Sequence, residues 1–500
     1  MVWHRYRAKR LANQERCHQL FASRQNGNGT AAEAATLTSL SHNRHDKRQL
    51  GAPKPVMLIK PPGPKIPWLA YAALYRDPLG YLTRVARKYG DIIHVGLTGR
   101  HDFLLNHPDY IRTVLLDQDG LRRSVHRPLQ RLLGQSLLTT RGRIHRQQRA
   151  LLQPVFQKQR IAALGEVMVQ QTVRWSEKWR EGATVDMEDE MTRLSMSITG
   201  KTLFDVDVES EASEVADALI KVLSATRFNN LLLASKKLAK LPLPANRRFQ
   251  HAAKRLDQFI YQMIAERHAE SSDRPDLLSV LVRTSKEKPR LMNDQKIRNQ
   301  ILTFFVAGHE TVATALMWTW YLLAKDPGVT EKLHTEIDAV LGGKLPAVAD
   351  LEGLPYDKMV LAESMRIYPP VWIIGRHAVR DVNINGWVIP KGSYIHVSQF
   401  LMHRDARYFP EPERFDPERW RPEAIAARPR FSYFPFGGGG LQCIGEGFAW
   451  TQAMLVIGTL ASRWQMRLAP GPPIELEPQL TLGSKYGMPM KLERRHRPTS

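Results

Sequence analysis

The stretch FPFGGGGLQCIGEGFAW, from Phe434 to Trp450, decides the fold of this chain, because it sets a cysteine in a glycine-rich loop before an apolar helix. Cys443 is one of only two cysteines among 500 residues. A lone cysteine usually packs as a small hydrophobic side chain, and that alternative is open here. Helix is expected from about Ile444, so the sulfur lies near a helix N-terminus, where backbone N–H groups favour a thiolate.

Glycines surround this cysteine on both sides. Four of them run from Gly437 to Gly440, and Gly445 follows. Glycine has no Cβ, so such a backbone can lie flat against a planar ligand. A thiolate behind this loop suits the role of axial ligand to haem iron, where it pushes electron density onto the metal and favours O–O cleavage. The loop therefore has the features that an axial thiolate ligand to haem iron needs.

A second motif, AGHET, lies in the long apolar stretch from Asn293 to Lys325, which predicts one continuous helix. Its first two residues, Ala307 and Gly308, are small and leave room over a flat cofactor. Glu310 and Thr311 set an acid beside a hydroxyl in apolar surroundings, where polar groups are costly unless they are hydrogen-bonded or functional. The structural alternative is a threonine bonded to its own helix and a glutamate in an ion pair.

Together the two motifs resemble those of the cytochrome P450 monooxygenases. The family loop reads Phe, two residues, Gly, one residue, Arg or His, one residue, Cys, one residue, Gly. In this chain the pattern falls on Phe436, Gly439, Cys443 and Gly445. Leu441 is a departure, because the family usually has a basic residue there that pairs with a haem propionate. The resemblance covers about residues 55–490 and implies bound haem b (iron protoporphyrin IX) with Cys443 as the metal ligand.

The resemblance also implies which basic residues bind the propionates. In RGRIHRQQRALLQP, from Arg141 to Pro154, His145 and Arg149 share a helix face at i and i+4. The family binds a propionate with residues at this place, whereas the alternative is a solvated charged face. Arg376, at the end of the predicted strand VWIIGR, is the family's other propionate partner. His145 and Arg149 could offset the base that is missing at Leu441.

On the AGHET helix the resemblance implies two kinds of role. Ala307 and Gly308 would adjoin the haem. Thr311 and Glu310 would deliver protons to dioxygen, as the threonine and its acidic neighbour do in the family.

A third motif resembles the family's Glu-x-x-Arg pair. Glu363 and Arg366 are three residues apart in the predicted helix Tyr356 to Tyr368 and therefore lie on one face. Arg419, in FDPERW, would be the third member, because its guanidinium can bridge the same carboxylate. This triad is expected to be structural and to hold the cysteine loop in place. An exposed pair worth about 0.2 to 0.5 kcal/mol is the alternative.

The expected fold is mainly α with minor β, that is, the cytochrome P450 fold, with a long distal helix over the haem and small N-terminal and C-terminal sheets. Its other expected elements are a proline connector at Lys60 to Pro64, a helix from Asp77-Pro78 to Gly90, a hairpin around Thr98-Gly99, helices to about residue 342, a helix–loop–helix across residues 222–249, a hairpin around Asn385-Gly386, the strand YIHVSQF extending that hairpin, and short strands after Leu468.

Composition indicates a globular chain, with 43% hydrophobic and 24% charged residues. Residues 1–54 are expected to form a disordered basic arm, since the first fifty carry nine Lys or Arg against three Asp or Glu. A transit peptide and a misplaced start are both open for this arm. Residues 55–500 are expected to form the catalytic domain.

Two cysteines exclude a disulfide framework and suit a reducing interior, so a cytoplasmic location is expected.

The formal net charge of +23 suggests nucleic acid or a membrane surface as a partner. The basic residues are spread along the chain without a zinc-finger or RNA-recognition signature, so no nucleic-acid partner is expected. No apolar run of about 18 residues is found, so no transmembrane anchor is expected. A solvated basic surface is one interpretation of the charge, and a docking face for an acidic electron-transfer protein is the other.

The resemblance implies a monooxygenase that inserts one atom of dioxygen into a small apolar organic substrate. The chain has no glycine-rich flavin or nicotinamide site and no Cys-rich iron–sulfur segment. Electrons from NAD(P)H are therefore expected to arrive through a separate ferredoxin or flavodoxin-type partner, and the protein is expected to be a monomer. A peroxygenase or isomerase that bypasses dioxygen and a non-catalytic haem-binding protein are the alternatives. Fatty acids, terpenes and aromatic compounds are all open as substrates.

Overall fold

The computed structural model describes five stretches of the chain, which are residues 61–95, 101–125, 127–207, 244–270 and 274–495. All five lie in one unit, Met57–Ser500. Four predictions fall partly or wholly outside these residues. They are the basic arm at 1–54, the proline connector at its first residue, Lys60, the turn at Thr98-Gly99, and the helix–loop–helix across 222–249, of which only the helix from Pro244 onward is described.

Helices form most of the described chain, as expected. In chain order they are α1 (Pro67–Arg76), α2 (Pro78–Tyr89), α3 (Pro108–Leu116), α4 (Arg127–Leu133), α5 (Gly142–Leu152), α6 (Lys158–Ser176), α7 (Met187–Phe204), α8 (Pro244–Ala269), α9 (Leu277–Glu287), α10 (Asp294–Lys325), α11 (Pro327–Leu341), α12 (Pro355–Ile367), α13 (Gln399–Met402), α14 (Pro422–Ala426) and α15 (Glu446–Ala461). The long helix α10 packs against α7, α12 and α15 around one large apolar core. The mainly α fold with minor β is confirmed.

The strands of the described residues form four small sheets. The strands are β1 (Ile92–His94), β2 (Asp102–Leu105), β3 (Leu121–Arg123), β4 (Thr184–Asp186), β5 (Ile374–Ala378), β6 (Val382–Ile384), β7 (Trp387–Ile389), β8 (Tyr394–Val397), β9 (Trp464–Leu468), β10 (Leu476–Pro478), β11 (Leu482–Ser484) and β12 (Pro489–Arg494). The largest sheet has the order β1-β2-β8-β5-β3, the second β4-β12-β9, and β6-β7 and β10-β11 are hairpins. The largest sheet therefore joins N-terminal strands to strands nearly 300 residues later, beside the cysteine loop.

Local sequence signals place the ends of several elements correctly. The Asp77 side chain accepts a hydrogen bond from the Gly80 N–H and caps α2, and Gly90 ends that helix with φ +87°. Asn293 caps α10 in the same way, through the N–H of Lys296. In the β6-β7 hairpin Asn385 and its glycine neighbour both have positive φ, as the predicted turn requires.

One expectation about strands is wrong. The strand YIHVSQF does not extend the β6-β7 hairpin, because β8 pairs in parallel with β2 and antiparallel with β5. A parallel partner distant in sequence leaves no local signal. In the described part of the stretch up to residue 342 helices predominate, as predicted, and only the three-residue strands β3 and β4 lie between them.

The N-terminal proline segment is more than a connector. Pro62 accepts a hydrogen bond from the His94 N–H at 2.9 Å. At Gly63 a Cβ would lie only 1.9 Å from the His94 carbonyl oxygen. The segment is therefore laid directly against β1, and glycine is needed for that close approach.

Helix α10 is the single described helix that is long and apolar enough to cross a membrane, with a mean hydropathy of 1.3 over its best window. The expectation that the chain has no apolar run of that length is wrong by this measure. The same window is 78% buried within the protein. This burial is typical of a core helix, so the signal is weak as evidence for a membrane span.

Candidate functional site

The cysteine loop leads into α15 as expected, although the helix begins at Glu446, two residues later than predicted. A short 3-10 turn, Gly439–Leu441, precedes it. The Cys443 N–H donates to the Phe436 carbonyl at 3.0 Å and closes the loop. The Phe436 ring lies 6.0 Å from that of Trp450 and is half-buried. The loop is thereby fixed against its own helix.

The sulfur of Cys443 is reachable yet poorly solvated. The residue is exposed, but protein closely surrounds the space that it faces, and desolvation raises the pKa of its thiol. Glu446 acts in the same direction, whereas the Gly445 N–H and the charges of Arg149 and Arg123 oppose the rise. A coordinated metal ion removes the proton from such a thiol outright. The site thus suits a metal-bound sulfur better than a free thiolate.

Three arginines converge beside this loop from separate elements. Arg123 ends β3, Arg376 is its register partner in β5, and Arg149 lies on α5. Arg149 donates to the Gln442 carbonyl at 2.7 Å, and Arg123 donates to the Leu441 carbonyl at 3.4 Å. Their positive charges therefore surround the residues just before the cysteine.

The charge of this arginine group is not neutralised by the protein. Within the described stretches all three guanidinium groups donate to backbone carbonyls and none pairs with a carboxylate. Desolvation and the neighbouring positive charges lower the pKa of Arg123 and of Arg376 to about 10. Uncompensated buried charge is costly, so these groups are poised for an anionic ligand.

His145 completes the same group from the inner face of α5. It is 3% exposed, and its Nε2 has no hydrogen-bond partner within the described chain. Desolvation and the charges of Arg123 and Arg149 lower the pKa of His145 to about 4. A buried imidazole with a free nitrogen needs a partner, and a ligand carboxylate would supply one. The alternative of a solvated charged face is wrong for His145, which is buried, and for Arg149, which is half-buried.

Sequence reasoning missed Arg123. Its neighbour Arg122 is exposed, so the alternation of strand β3 turns one arginine outward and the other inward. In the sequence, this alternation was the only sign that Arg123 points inward, and it does not show which pocket the side chain enters. The structure brings Arg123 to Leu441, where the family's base is missing. These groups, namely the thiol, the three arginines and the imidazole, fit a planar ligand with two carboxylates and a metal that binds a thiolate. Iron protoporphyrin IX is such a ligand.

The AGHET segment lies midway along α10 and interrupts the buried run at its centre. Ala307 is exposed although the six residues before it are buried. The Thr311 hydroxyl donates to the Ala307 carbonyl at 2.8 Å, which is the bond that the structural alternative predicted. The lone pairs of the Thr311 hydroxyl oxygen remain available to a ligand in the open space next to Ala307. At Gly308 a Cβ would meet the Thr199 methyl of α7 at 3.1 Å, so close helix packing also requires a small residue here.

Glu310 forms no ion pair with the described part of the chain, contrary to the structural alternative. Its Oε1 accepts from the Thr481 hydroxyl at 2.9 Å, and its Oε2 is buried without a partner among the described residues. Burial raises the pKa of Glu310 to about 7, and the Thr481 hydrogen bond opposes the rise. Near neutral pH the carboxyl is therefore able both to give and to accept a proton.

The predicted triad is brought together, and it is deeply buried. Arg366 binds the Glu363 carboxylate with two hydrogen bonds of 2.8 Å, and both side chains are 0% exposed. Arg419 lies 3.3 Å from the same carboxylate, and the Trp420 indole N–H donates to it at 2.9 Å. The alternative of an exposed pair is wrong.

From the triad, hydrogen bonds lead to the cysteine loop. Arg366 donates to the His403 carbonyl at 2.9 Å, and the His403 Nε2 accepts from the Phe434 N–H at 3.0 Å. The Tyr433 hydroxyl donates to the Ala362 carbonyl of α12 at 3.0 Å. Helix α12 is in this way tied to the first residues of the loop, as a structural triad requires.

Gly439 is essential to the loop for a reason of packing. Its φ is +66°, and a Cβ would lie 2.3 Å from the Leu115 carbonyl oxygen. We expect Gly439→Ala to lower the free energy of unfolding by about 2 kcal/mol or more, because strain and overlap add. Gly142→Ala is the control, since Gly142 has φ +56° but open space around it and isolates the strain. Urea unfolding measures both, and equal losses in the two variants would contradict the packing role.

Comparison with known proteins agrees with this geometry. The Cytochrome P450 family model matches residues 61–489. The chain is 36% identical to Cyclooctatin synthase of Streptomyces melanosporofaciens over 83% of this chain and 92% of that protein. It is 36% identical to Cyclooctat-9-en-7-ol 5-monooxygenase of the same organism, over 81% and 89%. With Pentalenene oxygenase of Streptomyces avermitilis the identity is 31%, over 79% and 88%.

Proposed function

Because this chain belongs to the cytochrome P450 family and is a haem-thiolate monooxygenase, we propose that Cys443 ligates the haem iron and that the substrate is a ring-containing, mainly hydrocarbon molecule. The observation that carries the site assignment is the group of desolvated arginines without carboxylate partners among the described residues, together with the unpartnered His145 imidazole, beside this thiol. Haem b, with its two propionates, supplies the missing negative charge. When bound, it supplies the reductive activation of dioxygen, with the thiolate favouring O–O cleavage.

In this proposal Arg123, Arg149, Arg376 and His145 hold the propionates. Phe436, Gly439 and Gly445 shape the loop that carries the thiolate, and Ala307 and Gly308 leave space on the opposite side. Leu441 contributes only its carbonyl, which Arg123 binds. Arg123 therefore supplies from β3 the positive charge that the loop itself lacks.

Replacing Arg123 should weaken haem retention. We expect Arg123→Gln to release haem to an excess of an apoprotein acceptor about 10 to 100 times faster, since a hydrogen bond to a charged group contributes about 1.5 to 3 kcal/mol. Arg122→Gln is the matched control, because the neighbouring side chain is exposed. Haem transfer followed by absorbance measures the rate, and the same rate in both variants would contradict the assignment.

Thr311 and Glu310 are proposed to move protons. Glu310 has one carboxyl oxygen held by Thr481 and the other free, so it can exchange a proton with a bound water. Thr311 donates its own hydrogen to the Ala307 carbonyl and can accept a hydrogen bond from that water. Together they deliver protons to the oxygen-binding space while the surrounding apolar helix excludes bulk solvent.

We expect Thr311→Ala to separate reductant use from product formation. The yield of product per NAD(P)H should fall at least about tenfold and hydrogen peroxide should rise, because a positioned proton carrier contributes roughly 10² to 10⁴ in rate. Thr319→Ala is the control, since Thr319 makes the same 2.8 Å bond to its own helix, deep in the core. Unchanged coupling in Thr311→Ala would argue against the relay.

The substrate proposal rests on the relatives and on the apolar lining. The names of two relatives denote an unsaturated cyclic alcohol and an oxygenase of pentalenene. In this chain the residues that come after α12, Val371, Ile373 and Ile374, are apolar yet only half-buried. Ile374 also approaches Gly437, since a Cβ there would lie 3.7 Å from its Cδ1. Such a lining favours a hydrocarbon over a charged molecule, and the names of the relatives favour a cyclic one.

The test is turnover under ¹⁸O₂ with NADPH, a ferredoxin and its reductase, and a panel containing pentalenene, cyclooctat-9-en-7-ol and linear fatty acids. We expect one labelled oxygen atom in a product from a cyclic compound. Conversion of fatty acids alone would overturn the substrate class. Faster product formation with hydrogen peroxide than with dioxygen and reductant would move the enzyme to the peroxygenases.

Reducing equivalents reach the family's enzymes from redox partners, and we propose a ferredoxin or flavodoxin-type carrier supplied by NAD(P)H, with the protein acting as a cytoplasmic monomer. The net charge of +23 supports an acidic carrier. Its reduction rate should fall as salt is added, because screening weakens attraction between exposed charges. A rate independent of ionic strength would remove the electrostatic part of this proposal.

A further inference from the structure

The β10-β11 hairpin reaches the acid of α10 from far along the chain. Its turn carries Thr481, which is 7% exposed and donates its hydroxyl hydrogen to Glu310 Oε1 at 2.9 Å. The other carboxyl oxygen, Oε2, is buried without a partner among the described residues. A single hydroxyl from the hairpin thus fixes the carboxyl in one orientation and leaves one oxygen free.

The hairpin is anchored independently of Thr481. The Trp318 indole N–H of α10 donates to the Leu482 carbonyl at 2.6 Å, and the Leu482 N–H donates to the Pro370 carbonyl at 3.1 Å. The Trp372 indole N–H donates to the Gln479 carbonyl at 3.0 Å. Backbone groups on both sides of Thr481 are therefore held by other residues, so the threonine hydroxyl is not needed to place the turn.

No charged group takes over the role of the hydroxyl. Glu310 forms no ion pair with any described residue. His309, next to it on α10, is fully buried and bonds to the Phe305 carbonyl, and burial lowers its pKa to about 4, so it is neutral. On the hairpin itself, the Glu477 carboxylate accepts from the Gln479 amide. From α7, the Thr199 side chain packs at Gly308. Thr481 is the one described side chain that hydrogen-bonds the Glu310 carboxyl.

We propose that Thr481 is a positioning residue for proton delivery, whose hydroxyl holds the Glu310 carboxyl so that Oε2 exchanges protons with the oxygen-binding space. The inference rests on the proposed role of Glu310 in the monooxygenase reaction. A carboxyl without this bond is free to rotate about its last torsion, which is broad and has no strongly preferred setting. The hairpin therefore fixes the direction of the free Glu310 oxygen, Oε2, which α10 alone does not fix.

The direct test is infrared spectroscopy of the holoenzyme across a pH titration, which needs no substrate. The band of the protonated Glu310 carboxyl is identified by its absence in Glu310→Gln. In Thr481→Val, which keeps the shape of the side chain but loses the hydroxyl, we expect this band to shift to higher frequency. Its titration midpoint should rise by roughly 0.5 to 1 pH unit, because a hydrogen bond to the carboxylate has been lost. Thr481→Ser should restore the wild-type band and midpoint.

Turnover on the cyclic compound converted best supplies the second measurement. We expect Thr481→Val to lower kcat and the product yield per NAD(P)H several-fold with KM unchanged, and Thr481→Ser to recover both. Normal Soret absorbance with carbon monoxide verifies that each variant binds haem. A wild-type band, midpoint and coupling in Thr481→Val would overturn the inference, as would equal impairment of the serine and valine variants, which would indicate packing alone.

Two further outcomes distinguish an error in the proposed proton relay from an error in the role of Thr481 alone. If Glu310→Gln keeps wild-type coupling, the proton relay itself is wrong and the role of Thr481 falls with it. If Glu310→Gln loses coupling while Thr481→Val keeps it, the relay stands and the positioning role alone is overturned.

Discussion

Glu363→Gln should abolish most of the folded haem protein. The substitution removes the negative charge from a fully buried site and leaves Arg366 uncompensated, since the other partners of that guanidinium are the His403, Pro412 and Arg414 carbonyls. Breaking a buried ion pair from one side costs about 3 to 5 kcal/mol, which is a large part of the stability of an ordinary domain. We expect a low yield of holoprotein and an unfolding midpoint in urea far below that of the wild type.

The control is Glu352→Gln, which breaks an exposed contact to Lys158 of 3.8 Å and should leave yield and midpoint unchanged. Should Glu363→Gln give no soluble protein, Trp420→Phe provides a milder step. It deletes the indole N–H that donates to the Glu363 carboxylate, together with part of the ring that packs against Tyr433. We expect a loss of about 1.5 to 3 kcal/mol from the hydrogen bond, to which the lost packing adds. Wild-type stability in both Glu363→Gln and Trp420→Phe would contradict the structural role of the triad.

The triad influences the cysteine loop through the backbone that connects them. Arg366 fixes the backbone from His403 to Arg414, and His403 fixes the Phe434 N–H at the start of the cysteine loop. Loss of the buried Glu363–Arg366 pair should therefore disturb the loop that carries Cys443, although no contact joins Cys443 to Glu363 among the described residues.

Features that depend on short spacings were predictable from the sequence. Asn293 and Asp77 mark the ends of their helices because capping is local. Glu363 and Arg366 meet because residues three apart share a helix face. The position of Cys443 before an apolar helix is indicated by the glycine-rich loop, with an error of two residues in the helix start.

Features that depend on distant pairings were not predictable. Arg123 meets Leu441 across 318 residues, and Thr481 meets Glu310 across 171 residues. Both contacts require the large sheet and the C-terminal hairpin to be placed first, and β8 finds its parallel partner β2 only in the folded chain. Periodicity shows which face of an element is buried but not what covers it.

The glycines of the cysteine loop show a second limit of sequence reasoning. They were expected to clear space for a flat ligand. At Gly439 the structure gives a packing reason as well, because the Leu115 carbonyl lies where a Cβ would be. A glycine pattern states that space is needed, but it does not identify the neighbour that needs it.

The central claim is the bond between the Cys443 sulfur and haem iron, and it predicts the second large effect. The residue lies just before the N-terminus of α15 and faces an open space. It is flanked by Arg123 and Arg149, whose charges could bind an anionic ligand. In Cys443→Ser a hydroxyl replaces the thiolate, so axial electron donation is lost while the propionate site is unchanged. Haem should still bind, and monooxygenase turnover should fall to background.

The most direct measurement is the absorbance of the dithionite-reduced protein under carbon monoxide, for the wild type and for Cys443→Ser. We predict the long-wavelength Soret band of thiolate ligation in the wild type and its complete absence in the serine variant. A wild-type spectrum without that band, or a band that persists in Cys443→Ser, would contradict the assignment of the iron ligand.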